Sequence, residues 1–436
     1  KDGEVGEKLI YHNDLYVVRR LWDSEVGEAV VMRLHLPHDG VREFTLPLAI
    51  VNSREEFRKH MSMYGVAINK MDEIMQYTTT WVNELQANSV ADEAHKQFGW
   101  TNDDCTSFIL GNQEIFADKV EFNPPSSQTA ALFASFEPKG TLEDWKKMID
   151  FYNKDKFELH QFVVGSSFGS ILMNLSPINC AALHIHSKES GVGKTTAIAA
   201  AVSVWGKPED LMINERDTYN TKMHRGEIYH NLPLYMDELT NSKANELSNL
   251  AYQLTGGRQR GRMASGGNLE RYRGDAWKLL AVTTGNTSII ERVSMTKSMP
   301  KAEAQRILEV KVDRLFSEAE EKEEQDAFSI AVGNQYGHAG KVYVQYVINN
   351  LDGVKKLLDE IRNKVDVAAG LTSENRFWSA FVTNTMAGLV LAKRAGLIEY
   401  NIGNVFKWAI KMLKDNKHYV SDMNASVEEV LNDYIH

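Results

Sequence analysis

Two cysteines, Cys105 and Cys180, are all that 436 residues contain, which excludes a disulfide framework and fits a reducing compartment. No apolar run approaches the ~20 residues needed to span a bilayer, and no charged-then-apolar leader opens the chain, so a cytoplasmic enzyme with no membrane attachment is expected. The most apolar stretch, Phe377 to Ala395, is broken by Asn384, Thr385 and Lys393. Internal repeats, low-complexity tracts and zinc-type spacings are absent, as is any Ser/His/Asp arrangement. His184 and His186 alternate on one apolar run, but with no third ligand nearby they are not expected to hold a metal. The first residue is Lys, so a longer polypeptide with a further upstream domain is expected.

What is present is a phosphate-binding loop. Ser187-Lys-Glu-Ser-Gly-Val-Gly-Lys-Thr-Thr196 follows the apolar run Ala181–Ile185 and opens an Ala-rich helix. A glycine-containing turn lets backbone N–H groups converge on phosphate oxygens at a helix N-terminus. Ser190, Gly191, Val192, Gly193, Lys194, Thr195 and Thr196 are the expected nucleotide-binding residues, with Lys194 reaching the outer phosphates and Thr195 holding Mg2+. Lys188 stands where the first Gly of the usual pattern falls, which makes the loop entry stiffer and bears on turnover more than on binding. ATP and Mg2+ are the expected nucleotide and cofactor.

Two later strands complete the pattern. Leu232–Met236 is an apolar run ending in Asp237-Glu238, which delivers two carboxylates to the edge of an open sheet where ligands bind. Asp237 is expected to hold Mg2+ and Glu238 to orient the attacking water. Leu279–Thr284 ends at Gly285-Asn286, so Asn286 reads as a sensor of the γ-phosphate or the lytic water; the bland alternative is a residue capping the turn.

Between these strands the chain changes character. From Gly256 to Lys278 it carries six basic residues against Glu270 and Asp275, a net charge of +4 on a chain whose total is −10. A basic, glycine-flanked segment on an acidic protein reads as a hairpin or loop aimed at a polyanion. Arg258, Arg260, Arg262, Arg271 and Arg273 are the expected DNA-binding residues. Pairing with nearby carboxylates, or with a neighbouring subunit's nucleotide, are the other readings.

The run from Leu183 to Gly206, with "PLYMDEL", "AYQLTGGRQRGR", "WKLLAVTTGN" and "AQRILEVKVD", resembles the phage and plasmid ATPases grouped as domain of unknown function 927. These are similar in motif order to superfamily 3 replicative helicases. The resemblance implies an ATP hydrolase acting as a DNA helicase, a homo-oligomeric, hexameric ring moving along single-stranded DNA, with a primase or polymerase domain upstream or in trans. It would act in phage or plasmid replication, in the host cytoplasm if phage-encoded. It also implies that the Arg258–Arg273 segment tracks DNA and that an arginine after the sensor strand completes a neighbour's site. By position that is Arg306, with Arg292 and Arg314 competing. A P-loop ATPase acting on a protein partner, or as a nucleotide-gated assembly or sensor, is the alternative function.

The expected fold is α/β, a P-loop NTPase of AAA+/RecA-like type with a parallel sheet flanked by helices. Residues 1–154 are expected to form an N-terminal α+β accessory domain, 155–330 the ATPase core, and 331–436 a C-terminal helical domain. In the first, Met32, Leu34 and Leu36 alternate with polar residues before Asp39-Gly40 and a second alternating run, a strand-turn-strand signal. A helix with Ser53 and Glu56 as a capping box follows. The acidic run from Glu318 to Asp326 is expected to separate core from helical tail.

Overall fold

The computed structural model describes residues 8–23, 26–189, 191–239, 243–261, 274–296, 301–313 and 319–435. Contacts divide the chain into two compact units, one running to Lys96 with residues 112–114 and 121–131, the other holding 97–111, 115–120 and the chain from Leu132 onward.

The first unit is built on an antiparallel sheet of β1 (Asp14–Asp23), β2 (Gly27–Leu36) and β3 (Gly40–Pro47), with the short β4 (Asp92–Glu93) parallel to β1. Alternation along β2 buries Met32 and Leu34 and turns His35 outward, as a half-buried strand requires. Met32 lies opposite Phe44 across the hairpin, and Gly40 takes the turn with a φ of 80°. Helix α1 (Arg54–Met63) lays Phe57 and Met61 into the core while Tyr64, at its end, stacks on Phe44 at 4.3 Å. The expected capping box does not form, because the Ser53 side chain makes no cap hydrogen bond. Backbone bonds Ser53 N–H to Ile50 and Phe57 N–H to Ser53 serve the entry turn instead. Helix α2 (Met71–Asn88) adds Ile74 and Val82 to the same cluster.

The second unit is centred on a parallel sheet of β5 (Cys180–His186), β6 (Leu234–Met236), β7 (Leu279–Gly285) and β8 (Ile307–Lys311), in the order β6-β7-β5-β8. Ile213 extends it by a parallel bridge to Met236. Every residue of β7 and all of β5 except His186 are buried, the pattern of parallel strands covered on both faces. The outer edge of β8 is closed by Asn416, whose amide accepts from Glu309 N–H at 3.1 Å and donates to Glu309 C=O at 2.8 Å. A helix thus supplies what a neighbouring strand would.

The expected boundaries after Lys154 and before residue 331 do not coincide with breaks in packing. Trp100 donates to Ile171 C=O at 2.8 Å, and Trp145, on α3 (Leu142–Ile149), donates to the Ser203 hydroxyl at 2.9 Å, so most of 97–154 belongs with the sheet. At the other end, α10 (Ala339–Asn349), α11 (Leu351–Ala369), α12 (Arg376–Arg394) and α13 (Ile402–Ile435) contribute to the same apolar cluster as the strands. Chain order suggested three cores; the large indoles and the tail's apolar stripes merge two of them. No helix among the described residues is long and apolar enough to cross a membrane.

Helix α4 (Glu158–Ser170) is buried along nearly its whole length and crosses α12 at a seam of glycines. A Cβ on Gly388 would stand 2.5 Å from Gly169 N and 2.8 Å from Gly165 O, which are backbone atoms that cannot rotate aside. Gly388→Ala is therefore expected to lower the unfolding midpoint, the overpacking cost of about 1–3 kcal/mol exceeding the gain of about 1 kcal/mol in helix propensity. Gly353, exposed on α11 with nothing within 4 Å of its would-be Cβ, is the control: Gly353→Ala is expected to raise the midpoint by denaturant titration.

Candidate active site

The carboxyl ends of β5, β6 and β7 meet at one edge of the sheet. Beyond β5 the loop passes through Gly191 and Gly193, with φ values of 72° and 83°, into α5 (Lys194–Val202). A Cβ at Gly191 would touch nothing, so backbone conformation rather than space demands glycine there. Ser190 lies outside the described residues.

Lys194 Nζ donates to Ser187 C=O and to Asn286 Oδ1, both at 3.2 Å. Burial lowers its pKa, while the charges of Glu238 and Asp237 act the other way. Thr195 donates to Asp237 Oδ2 at 2.9 Å, so the hydroxyl and carboxylate expected to share a magnesium ion already adjoin. Asn286 Nδ2 donates to Glu238 Oε1 at 3.3 Å. Lys194, Thr195, Asp237, Glu238 and Asn286 are thus brought together, with Thr196, the next residue of the same turn, facing Ser329 at 3.5 Å.

Sequence reasoning missed the residue that organises the acidic pair. Thr284, fully buried near the end of β7, donates to Asp237 Oδ1 at 2.5 Å and accepts from Glu238 N–H at 3.0 Å. Glu238 has a φ of 57°, a left-handed conformation costing about 1–2 kcal/mol for a residue with a side chain. The backbone bonds of Asp237 N–H to Ile213 and Leu239 N–H to Thr284 fix it there. The available signal was the polar Thr283-Thr284 pair closing an apolar strand. His184, set aside as a metal ligand, has a structural task. Burial pushes its pKa down to about 3, and the neutral ring bridges the Thr283 hydroxyl at 2.8 Å and Thr287 C=O at 2.9 Å, bracing the turn that carries Asn286.

Arg306 is not part of this cluster. It precedes β8, whose first residue pairs near the start of β5, and so lies at the opposite end of the sheet. There its guanidinium sits over Tyr252 at 4.4 Å and Phe377 at 5.4 Å. The basic segment ends at that same end of the sheet, since Leu279, the residue after it, pairs with Cys180. Its two flanks are held together: Trp277 N–H donates to Gly257 C=O at 2.9 Å, and Arg258 Nε to Gly274 C=O at 3.0 Å. Glu227, on α6 (Tyr219–Tyr229), accepts from Gln259 on one flank at 2.6 Å and from Asp275 N–H on the other at 2.8 Å. Burial works to raise its pKa, but bonds from His224, Asp275 N–H and Gln259 outweigh it and hold the carboxyl below its usual value. Arg258 and Arg260 are exposed; Arg262, Arg271 and Arg273, like the competing Arg314, lie outside the described residues.

A parallel sheet with a glycine loop, an acidic strand and a polar strand at one edge defines the class of protein: an α/β fold shared with a helicase structure. Across 98% of this chain and 79% of the other, it superposes on the active helicase Cch of SCCmec type IV with a TM-score of 0.69 at 17% identity. The family profile described as Domain of unknown function (DUF927) matches residues 2–273, and the chain belongs to that family. A protein of Cytophaga hutchinsonii described as a candidate ATPase matches over 62% of this chain and 85% of its own, with a TM-score of 0.34 and 14% identity. The NrS-1 C-terminal region matches over 87% and 86%, with a TM-score of 0.33 and 9% identity. Neither of these two weak superpositions bears on the fold. No curated protein matches the sequence.

Thr284→Val keeps the shape of the side chain but removes both bonds to the acidic pair. It is expected to raise the Mg2+ concentration needed for half-maximal ATP hydrolysis several-fold, with little change in circular dichroism; an unchanged Mg2+ dependence would remove Thr284 from the site.

Proposed function

We propose that this chain is an ATP-driven helicase or translocase of a phage or plasmid replication system, working on single-stranded DNA as a homo-oligomeric, hexameric ring. The observation that carries the hydrolytic part is the bonded set Lys194–Asn286–Glu238 and Thr195–Asp237–Thr284 at one sheet edge. The donor set fits a magnesium nucleoside triphosphate. Backbone N–H groups of Gly191 to Thr195 and the Lys194 ammonium would hold phosphate oxygens, and Thr195 and Asp237 would hold magnesium, which supplies charge neutralisation when bound.

Glu238 is placed by its backbone, not by a flexible side-chain reach. Its carboxylate, held by Asn286, would orient water for in-line attack, and Asn286 would link that carboxylate to Lys194 and the phosphate it binds. An arginine from a neighbouring subunit adds charge stabilisation worth about 10³–10⁵ in rate in such enzymes. Arg306 is the proposed finger: at the far end of its own sheet it cannot serve its own site, which supports a role in trans. Arg258 and Arg260, at the clamped start of the basic segment, are proposed to contact DNA phosphates together with Arg262, Arg271 and Arg273. An upstream or separate primase or polymerase is the proposed partner.

Lys194→Ala is expected to reduce ATP turnover at least about a hundredfold. Glu238→Gln should retain nucleotide binding while losing turnover, measured as bound ATP after gel filtration against phosphate released. For the DNA part, the ATPase rate with and without single-stranded DNA, at low salt and across protein concentrations, is the deciding experiment. Stimulation that falls steeply with salt and a rate that rises with protein concentration support the ring motor; Arg258→Ala/Arg260→Ala should lower stimulation several-fold and leave the basal rate unchanged. Robust hydrolysis indifferent to DNA would transfer the site to an ATPase acting on protein partners.

A further inference from the structure

A cleft of about 510 Å³ opens between the C-terminal part of α11 and the first turns of α12. Residues 176–178, just before β5, close it from the sheet side. Because β5 runs from here to the glycine loop, the cleft and the candidate active site lie at opposite ends of the sheet. The lining holds two guanidinium groups, Arg362 from α11 and Arg376 from the start of α12, and one acid, Asp366.

Neither arginine is committed to holding the fold together. Among the described residues Arg376 has no carboxylate within ion-pair distance, and its guanidinium rests on the Phe377 ring at 4.9 Å. Arg362 reaches Asp359, a turn back on its own helix, at 3.6 Å. A third cation stands at the lip, where Lys417 of α13 donates to Gly370 C=O beside the lining residue Leu371. Two guanidinium groups and an ammonium therefore gather around a cleft with one lining acid, on a chain whose net charge is −10. Exposed arginines are commonly just solvated, and here it is their location that selects a partner. Ile178, in the lining, is followed by Asn179, whose C=O accepts from Leu279 N–H at 3.0 Å and whose Nδ2 donates to Gly256 C=O at 3.3 Å. Gly256 and Leu279 bracket the basic segment, so the cleft lies one residue from the seam where that segment leaves and rejoins the fold. Lys278, its last residue, also donates to Asn174 C=O at 3.4 Å, two residues before the cleft wall.

A guanidinium matches a phosphodiester through paired N–H donors. Asp366 disfavours a free inorganic anion in the interior, while the Ser373 and Ser379 hydroxyls and the apolar Ile178 and Leu371 suit an uncharged sugar and base. We propose that this cleft holds one nucleotide of the single strand that the basic segment engages, with Arg362 and Arg376 on the phosphates that flank it. The inference rests on the DNA part of the function proposed above and gives the strand a second foothold, built from the helical tail and remote from the hydrolytic edge. Each phosphate neutralised by an arginine releases counterions, so the cleft contributes to affinity in a way that salt reads directly.

The test is fluorescence anisotropy of a labelled oligothymidylate of about twenty residues, longer than a typical single-strand site, titrated with the full chain over a range of salt concentrations. Arg362→Ala/Arg376→Ala should weaken binding roughly tenfold at low salt and flatten the slope of log affinity against log salt by about 1.4, or about 0.7 for each lost contact. Basal ATP hydrolysis and the unfolding midpoint should not change. Arg362→Lys/Arg376→Lys should restore the slope. Ser373→Trp, at an exposed position on the lip, fills the cleft without removing a charge and should weaken the strand several-fold. Unchanged affinity and slope in both the double-alanine and the tryptophan variants overturn the cleft assignment and leave the basic segment's contact standing, which Arg258→Ala/Arg260→Ala tests separately. Displacement of the strand by free thymidine monophosphate, or equally well by polyglutamate of matched charge, overturns it in favour of a free nucleotide or an acidic protein. Wild-type protein that does not bind the strand at all overturns the DNA part of the proposed function itself.

Discussion

The parallel ladder that joins Cys180–His186 to Leu279–Gly285 is the constraint on which the second unit depends. Its seven paired residues run without a shift in register, so the ends of the two strands are level. That levelness lets Ser187 N–H bond Gly285 C=O and lets Lys194, reaching back across the loop, meet Asn286. A slip of one residue would turn every side chain to the other face, removing Thr284 from Asp237 and His184 from Thr283. The chemistry at the edge is therefore fixed by hydrogen bonds in the middle of the sheet, where nothing polar from a ligand ever reaches.

How much of this was legible in the sequence depends on whether the signal is local. The glycine loop, the acidic strand and the polar strand each combine an apolar run with a polar terminus, and their residues Lys194, Thr195, Asp237, Glu238 and Asn286 converge. Thr284 and His184 were not legible as site residues, because their roles consist of bonds across 47 and 99 residues of chain and nothing beside them in the sequence indicates a partner. The cleft at the far end of the sheet was hidden for a similar reason. Ile178 and Arg376 are far apart in the chain, and an arginine at the start of an apolar helix reads as an ordinary surface charge.

Domain layout was the harder inference. Charge runs and loop-like segments mark places where a chain can separate, but only packing decides whether it does. Trp145 and Trp100 send their indole N–H groups to Ser203 and to Ile171, and Tyr400, near the start of α13, sends its hydroxyl to Ile149 at 2.9 Å. These long-range ties bind residues on both sides of the sheet region into one core. The glycines of α4 and α12 do the same by allowing the two backbones to touch. A pattern of small residues at helical spacing is visible in sequence, but its meaning appears only when the facing helix is known.

The two ends of the basic segment converge on Glu227. Because one carboxylate accepts from Gln259 on one flank and from Asp275 N–H on the other, the two flanks are tied to each other and to α6 through a buried charge. In mechanical terms Glu227 is a pin joint with a charge for its rivet: load applied at Gln259 or at Asp275 travels through it to α6, the helix that leads into the strand before Asp237.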